Sequence, residues 1–60
     1  MEFKLGDKVK IISGFYEGAI GTLTDYKKNK NEYFFDGTLT NSSKTYSVDV
    51  WVLANVLEKI

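Results

Sequence analysis

The sequence predicts a small all-β domain of five short strands, curled into a barrel or stacked as a sandwich. Three observations carry that reading. Apolar Phe3, Leu5, Val9 and Ile11 fall on odd positions, while charged Glu2, Lys4, Lys8 and Lys10 fall on even ones. That is the period of a strand with one buried face. β-Branched and aromatic residues recur in runs bounded by Gly, Asn, Asp and Ser. No stretch has apolar residues at the 3.6-residue spacing of a helix.

The elements follow in order. Phe3–Leu5 is a lead-in, cut off by a bend at Gly6-Asp7. The first strand covers about residues 8–13. Gly14 to Gly18 make a loop with a glycine at each end, where positive φ is expected. The second strand covers about residues 19–28, and Gly21 inside it marks a bulge or a close backbone approach. A bulge there lets Leu23 and Tyr26 both point inward, which strict alternation forbids. Lys27-Lys28-Asn29-Lys30-Asn31 reads as a hairpin tip. The third strand covers about residues 32–40. Asp36-Gly37 inside it is either a tight turn or, as Thr38-Leu39-Thr40 favours, a bulge in a longer strand that turns at Asn41-Ser42-Ser43-Lys44. The fourth strand covers about residues 45–52, residues 53–55 form a 3₁₀ turn, and residues 56–59 close the fold. Trp51 is expected in or near the core, and Tyr46 inward at one end. Barrel closure would remove the exposed strand edges that so small a domain cannot otherwise protect.

Size and composition bound the function. A chain of 60 residues is one domain at most. Its net stability is expected to be about 3–5 kcal/mol. With no Cys and no His, disulfides and the usual zinc sites are excluded, so the nine aromatic residues must supply the core. There is no His or Cys, no Ser in a nucleophile-elbow context, no calcium-loop spacing and no phosphate loop, so neither an enzyme nor a cofactor is expected. No apolar run approaches a membrane span, and the charged first residues do not make a signal-peptide core. The cytoplasm is therefore the expected location, and Asn41-Ser42-Ser43 is a chance match to a glycosylation triplet. The net charge is zero and every basic residue is Lys, which disfavours base-specific DNA readout. The charge is unevenly spread: residues 1–30 are net +2 and residues 31–60 net −2.

Gly6-Asp7, Val9, Ile11, Ser13-Gly14, Gly18, Gly21 and Leu23 match the KOW motif in order and spacing, and the motif resembles most of this chain. The segment Asn55-Val56-Leu57-Glu58-Lys59-Ile60 looks like the end of the KOW domain in NusG-type transcription factors. The resemblance implies a five-stranded SH3-like barrel. Ribosomal members bind ribosomal RNA, and NusG-type members bind proteins of the transcription and translation machinery. Ribosomal members usually carry basic residues between the loop glycines, whereas this chain has Phe15-Tyr16-Glu17, which moves the reading toward the NusG-like case.

The candidate binding residues are Phe15 and Tyr16 in the loop, Lys8 and Lys10 on the first strand, Lys27, Lys28 and Lys30 at the hairpin tip, and Phe34. The aromatics can stack on bases or anchor a protein, and the lysines can contact phosphates. Tyr33-Phe34-Phe35 puts aromatics on both faces of the third strand, so one face is available to a partner or to self-association. The expected function is a KOW-like adaptor contacting RNA, DNA or a transcription or translation assembly. The alternative is a protein-interaction or self-associating module without nucleic acid, such as an accessory protein of a mobile element or phage. An aromatic cage for methyl-lysine, as in Tudor domains, is a further option.

Overall fold

The computed structural model describes residues 3–60, so Glu2, assigned above to an outward face, lies outside it. The elements are β1 (Lys8–Ile11), β2 (Ile20–Lys27), β3 (Glu32–Asn41), β4 (Lys44–Leu53), a 3₁₀ turn (Ala54–Val56) and β5 (Leu57–Lys59). All pairings are antiparallel, in the order β4-β3-β2-β1-β5.

The lead-in is fixed by a tight turn. Gly6 adopts φ 95° and donates to the Leu23 carbonyl at 2.7 Å, and the Asp7 N–H reaches the Lys4 carbonyl at 3.0 Å. The turn drops Phe3 into the core, edge-on to Tyr33 with ring centroids 5.7 Å apart. Leu5 does not follow the alternation inward and is 56% exposed, because the turn breaks the strand period there. β1 ends two residues sooner than expected. The Ile12 N–H leaves the ladder to bond the Val56 carbonyl at 2.8 Å, which pins the 3₁₀ turn against the start of the loop.

The β2–β3 hairpin closes at Lys27↔Glu32, with Asn31 in the left-handed region at φ 52°. The only register shift in that pair lies between Leu23 and Asp25. The bulge is therefore at Thr24, not at Gly21, but its consequence is the expected one. Leu23 pairs with Phe35 and Tyr26 with Tyr33, which puts both on the inner side; Leu23 is buried there, while Tyr26 lies against the Tyr33 ring at 4.6 Å and stays 39% exposed. Gly21 instead lies directly opposite Gly37 in a close backbone approach. β3 runs through Asp36-Gly37 with neither a turn nor a bulge. The β3–β4 hairpin turns at Ser42-Ser43, as the longer-strand reading required.

The inner face gathers one core from every strand: Val9, Ile11, Leu23, Tyr33, Phe35, Val48 and Leu57, joined by Phe3 and Ala19. Val48 and Leu57 stand on the two edge strands, so the sheet must curl for both to share that core. A single layer has nothing else to bury its apolar face against. The curl does not become a closed ladder, because β4 and β5 are not hydrogen-bonded to each other. The closed barrel expected from the sequence is thus replaced by an open, five-stranded antiparallel sheet. The physical reason is length. β5 spans three residues, all engaged with β1, while the ten residues of β4 follow β3 past the last β2 partner at Thr38. No helix is long and apolar enough to cross a membrane among the described residues.

Candidate functional site

The loop between β1 and β2 is built from two successive turns. The Glu17 N–H donates to the Gly14 carbonyl at 3.2 Å, and the Ala19 N–H to the Tyr16 carbonyl at 3.0 Å. Gly14 and Gly18, at φ 96° and 98°, supply the left-handed positions these reversals need. The first turn lifts Phe15 to its apex, where the side chain is 91% exposed. Tyr16 folds back onto the core, and its ring meets Phe15 edge-on at 5.0 Å. Of the two loop aromatics, one caps the core and the other is left in solvent.

This pair forms a ridge between two apolar hollows. One, of about 500 Å³, is lined by Leu39, Tyr46 and Val48 beyond Phe15 and Tyr16. The other, of about 220 Å³, is lined by Ile11, Val52, Leu53 and Val56 beyond the same two rings. Tyr46 has the inward parity of Val48 but is 50% exposed, because the hairpin carries it past the end of β2. Leu39 and Leu53 were not singled out from the sequence. Leu39 sits opposite Tyr46, and the signal that would have found it is that both lie beyond the reach of β2.

The basic candidates do not join this ridge. Lys8 and Lys10 lie on the outer face of β1, opposite Thr22 and Ile20 of β2. Along β2, Lys27 is five residues past Thr22, about 16 Å at ~3.3 Å per residue. Asp25 stands between them, and Lys10 faces Glu58 of β5. Lys28 and Lys30 are exposed at the hairpin tip. No lysine lines either hollow.

Phe34 occupies the outer face, edge-on to Trp51 with centroids 5.1 Å apart. Lys27 Nζ sits 4.3 Å from the centre of the Trp51 ring, a cation–π contact. Trp51 is therefore not a core residue. Val48, Val50 and Val52 take the inward positions of β4, and alternation leaves Trp51 half-buried on the other side.

Beside this cluster the outer face of β3 and β4 carries a pair of acids. Asp36 and Asp49 are direct cross-strand partners. Hydrogen bonding to the Asp36 carboxyl, then desolvation and like charge, raise the Asp49 pKa above the usual carboxylate value. Asp7 behaves oppositely. Its carboxylate accepts the Lys4 N–H at 2.9 Å and pairs with Lys59 Nζ at 3.4 Å, and these hold its pKa below the usual range. The signs of the two linkages differ. Asp7 stabilises the fold above its unfolded pKa, and that contribution is lost as pH falls through its folded pKa. The raised pKa of Asp49 means that the folded state gains stability as pH falls through it. Asp49→Asn is expected to raise the thermal midpoint at neutral pH, with the gain shrinking once pH drops through the Asp49 folded pKa. Thermal melts of both proteins across acid to neutral pH check this. A gain that is absent at neutral pH, or that grows on acidification, contradicts it.

Among the described residues no three acidic, His or Cys side chains converge as metal ligands. No family model matches the chain, and neither a curated protein nor a solved structure matches it.

Proposed function

We propose that this chain is a non-enzymatic binding module, an SH3-like barrel of the KOW type left open on one side, that docks an apolar segment of a protein partner across the Phe15–Tyr16 ridge. The carrying observation is Phe15. A phenylalanine ring is worth about 1.5–3 kcal/mol on full burial, and here nearly all of that is withheld from the fold. Two apolar hollows flank it and no lysine enters either, which favours a protein segment over RNA or DNA. The meander order and the 3₁₀ turn before β5 support the barrel assignment. The resemblance to NusG-type domains makes a cytoplasmic transcription or translation assembly the first place to look for the partner.

The test is a photo-crosslinking side chain at position 15, with the same group at Lys28 as a control. Crosslinks to protein from position 15, abolished by Tyr46→Ala, are expected. Crosslinks to RNA, or equal protein yields from both positions, would refute the reading. Phe15→Ala should leave stability within about 0.5 kcal/mol of the parent, as expected for a surface position. A larger loss in urea unfolding would mean that Phe15 serves the fold.

A further inference from the structure

The two edges of the sheet are defended differently. β5 is three residues long and carries Glu58 and Lys59, so it offers little to an incoming strand. β4 is ten residues long and pairs with β3 without a register shift. It contains no Pro and no Gly, and its only charged residue between Lys44 and Leu53 is Asp49. A long, regular, unblunted edge is a template for another strand.

The register fixes which backbone groups that edge offers. The two-residue turn, with Ser42 at φ 60°, makes Asn41↔Lys44 the hydrogen-bonded pair that closes the hairpin. Alternation then directs Tyr46, Val48, Val50 and Val52 toward β3. The N–H and C=O groups of Thr45, Ser47, Asp49 and Trp51 point away from it. The Thr40 and Thr45 hydroxyls at 3.2 Å, and the Phe34–Trp51 ring contact, agree with these being the closely spaced, non-hydrogen-bonded pairs. None of the outward groups has a backbone partner among the described residues.

The side chains beside those groups specify the visitor. Asp49 stands next to Asp36 with no cation at ion-pair distance, since the ion pair formed among the described residues is Lys59–Asp7. Two residues on, the Trp51 ring is held in place by Phe34 and Lys27. A second copy of this chain is a poor match. The antiparallel β4–β4 register that pairs all four outward residues sets Asp49 opposite Ser47 and makes the two Asp49 side chains diagonal neighbours on one face, with an Asp36 beside each, so like charges gather there with no cation among them. A basic residue opposite Asp49 reverses that sign.

We infer that β4 accepts an extended segment of another protein as an added antiparallel strand, with Lys or Arg opposite Asp49 and an apolar residue opposite Trp51. Strand addition of this kind takes its affinity from the main chain and its selectivity from alternate side chains. The inference rests on the proposal above only in taking the partner to be protein, and it uses a different surface.

The probe is a short capped peptide, Thr-Val-Thr-Lys-Thr, whose Val and Lys share one face and fall opposite Trp51 and Asp49 in an antiparallel added strand, with Thr-Val-Thr-Glu-Thr as its control. Amide hydrogen exchange is read residue by residue at low and moderate salt. Binding of the Lys peptide should slow exchange at Asp49 and Trp51, leaving Tyr46, Val48, Val50 and Val52 unchanged. Asp49→Lys, which faces Asp36 with an opposite charge and so keeps its fold, should switch preference to the Glu peptide by about tenfold. Phe15→Ala should bind the Lys peptide as the parent does. Equal binding of both peptides to the parent overturns the inference. So does binding without protection of these two outward amides, or protection of those amides in a peptide-free dimer. If binding fails only in Phe15→Ala and the outward amides stay unprotected, the ridge is the site and the edge is not.

Discussion

Gly37→Ala is expected to destabilise the domain by about 3 kcal/mol or more, close to its whole stability. Gly37 and Gly21 are direct partners on β3 and β2, and neither has a positive φ, so conformational freedom is not what they supply. What they supply is the absence of a side chain. A methyl on Gly37 would overlap the Ile20 carbonyl oxygen and lie 2.5 Å from the Gly21 Cα. A methyl on Gly21 would lie 2.5 Å from the Asp36 carbonyl oxygen and 2.6 Å from the Gly37 Cα. These obstacles are backbone, which cannot rotate away as a side chain can. The strands must separate, and the ladder that carries the Leu23↔Phe35 pair two residues away separates with them. Urea unfolding of Gly37→Ala and Gly21→Ala checks this, with both variants shifted together. A midpoint near that of the parent for either would show that the close approach is not obligatory.

How much of this was legible in the sequence depends on the range of the interaction. The β3–β4 hairpin, the lysine-rich tip and the 3₁₀ turn were readable, because local alternation and turn residues set them. Gly21 was recognised as a special position, but its reason lay in Gly37, and a partner sixteen residues away is not visible from local pattern. Of the two readings of Gly21, a bulge or a close backbone approach, the close approach is the one that forms, and the bulge sits at Thr24. Trp51 reads as a residue in or near the core, yet it alternates with the three inward valines of β4, and that alternation points it outward. Closure was expected because small domains avoid edges. The extension of β4 past β2 leaves one edge open, and strand length is among the least certain features of a single sequence.

The candidate site divides the same way. Phe15 and Tyr16 were found because an apolar pair between two glycines has no local structural reason. Their different fates were not legible, since both occupy one turn and only the curl of the sheet brings β4 beneath Tyr16. The lysines were legible one by one, but which lysines share a surface is a property of the register, and the register set Asp25 and Glu58 among them.

Two adjacent phenylalanines should respond to truncation very differently. Phe35→Ala is expected to cost about 3–5 kcal/mol, the range for an aromatic removed from a core. Phe35 is fully buried, stands between Leu23 and Val50 in the ladder, and shares the core with Val9, Ile11 and Leu57. In so small a domain no second layer can collapse into the space it leaves. Since the whole stability is expected to be about 3–5 kcal/mol as well, roughly half or more of the Phe35→Ala molecules should be unfolded at 25 °C. Phe34 lies one residue earlier and on the opposite face, half-exposed against Trp51. Phe34→Ala loses that edge-on aromatic contact, worth about 0.5–1.5 kcal/mol, and a partial burial, and should stay folded. Circular dichroism with urea unfolding of the two variants side by side decides the matter. A folded Phe35→Ala with a midpoint near that of Phe34→Ala would mean that the inner face is not the single core described above. If Phe34→Ala is instead the unfolded one, then the outer aromatic cluster with Trp51 and Lys27 carries the fold, and the acidic edge beside it cannot be free to receive a partner.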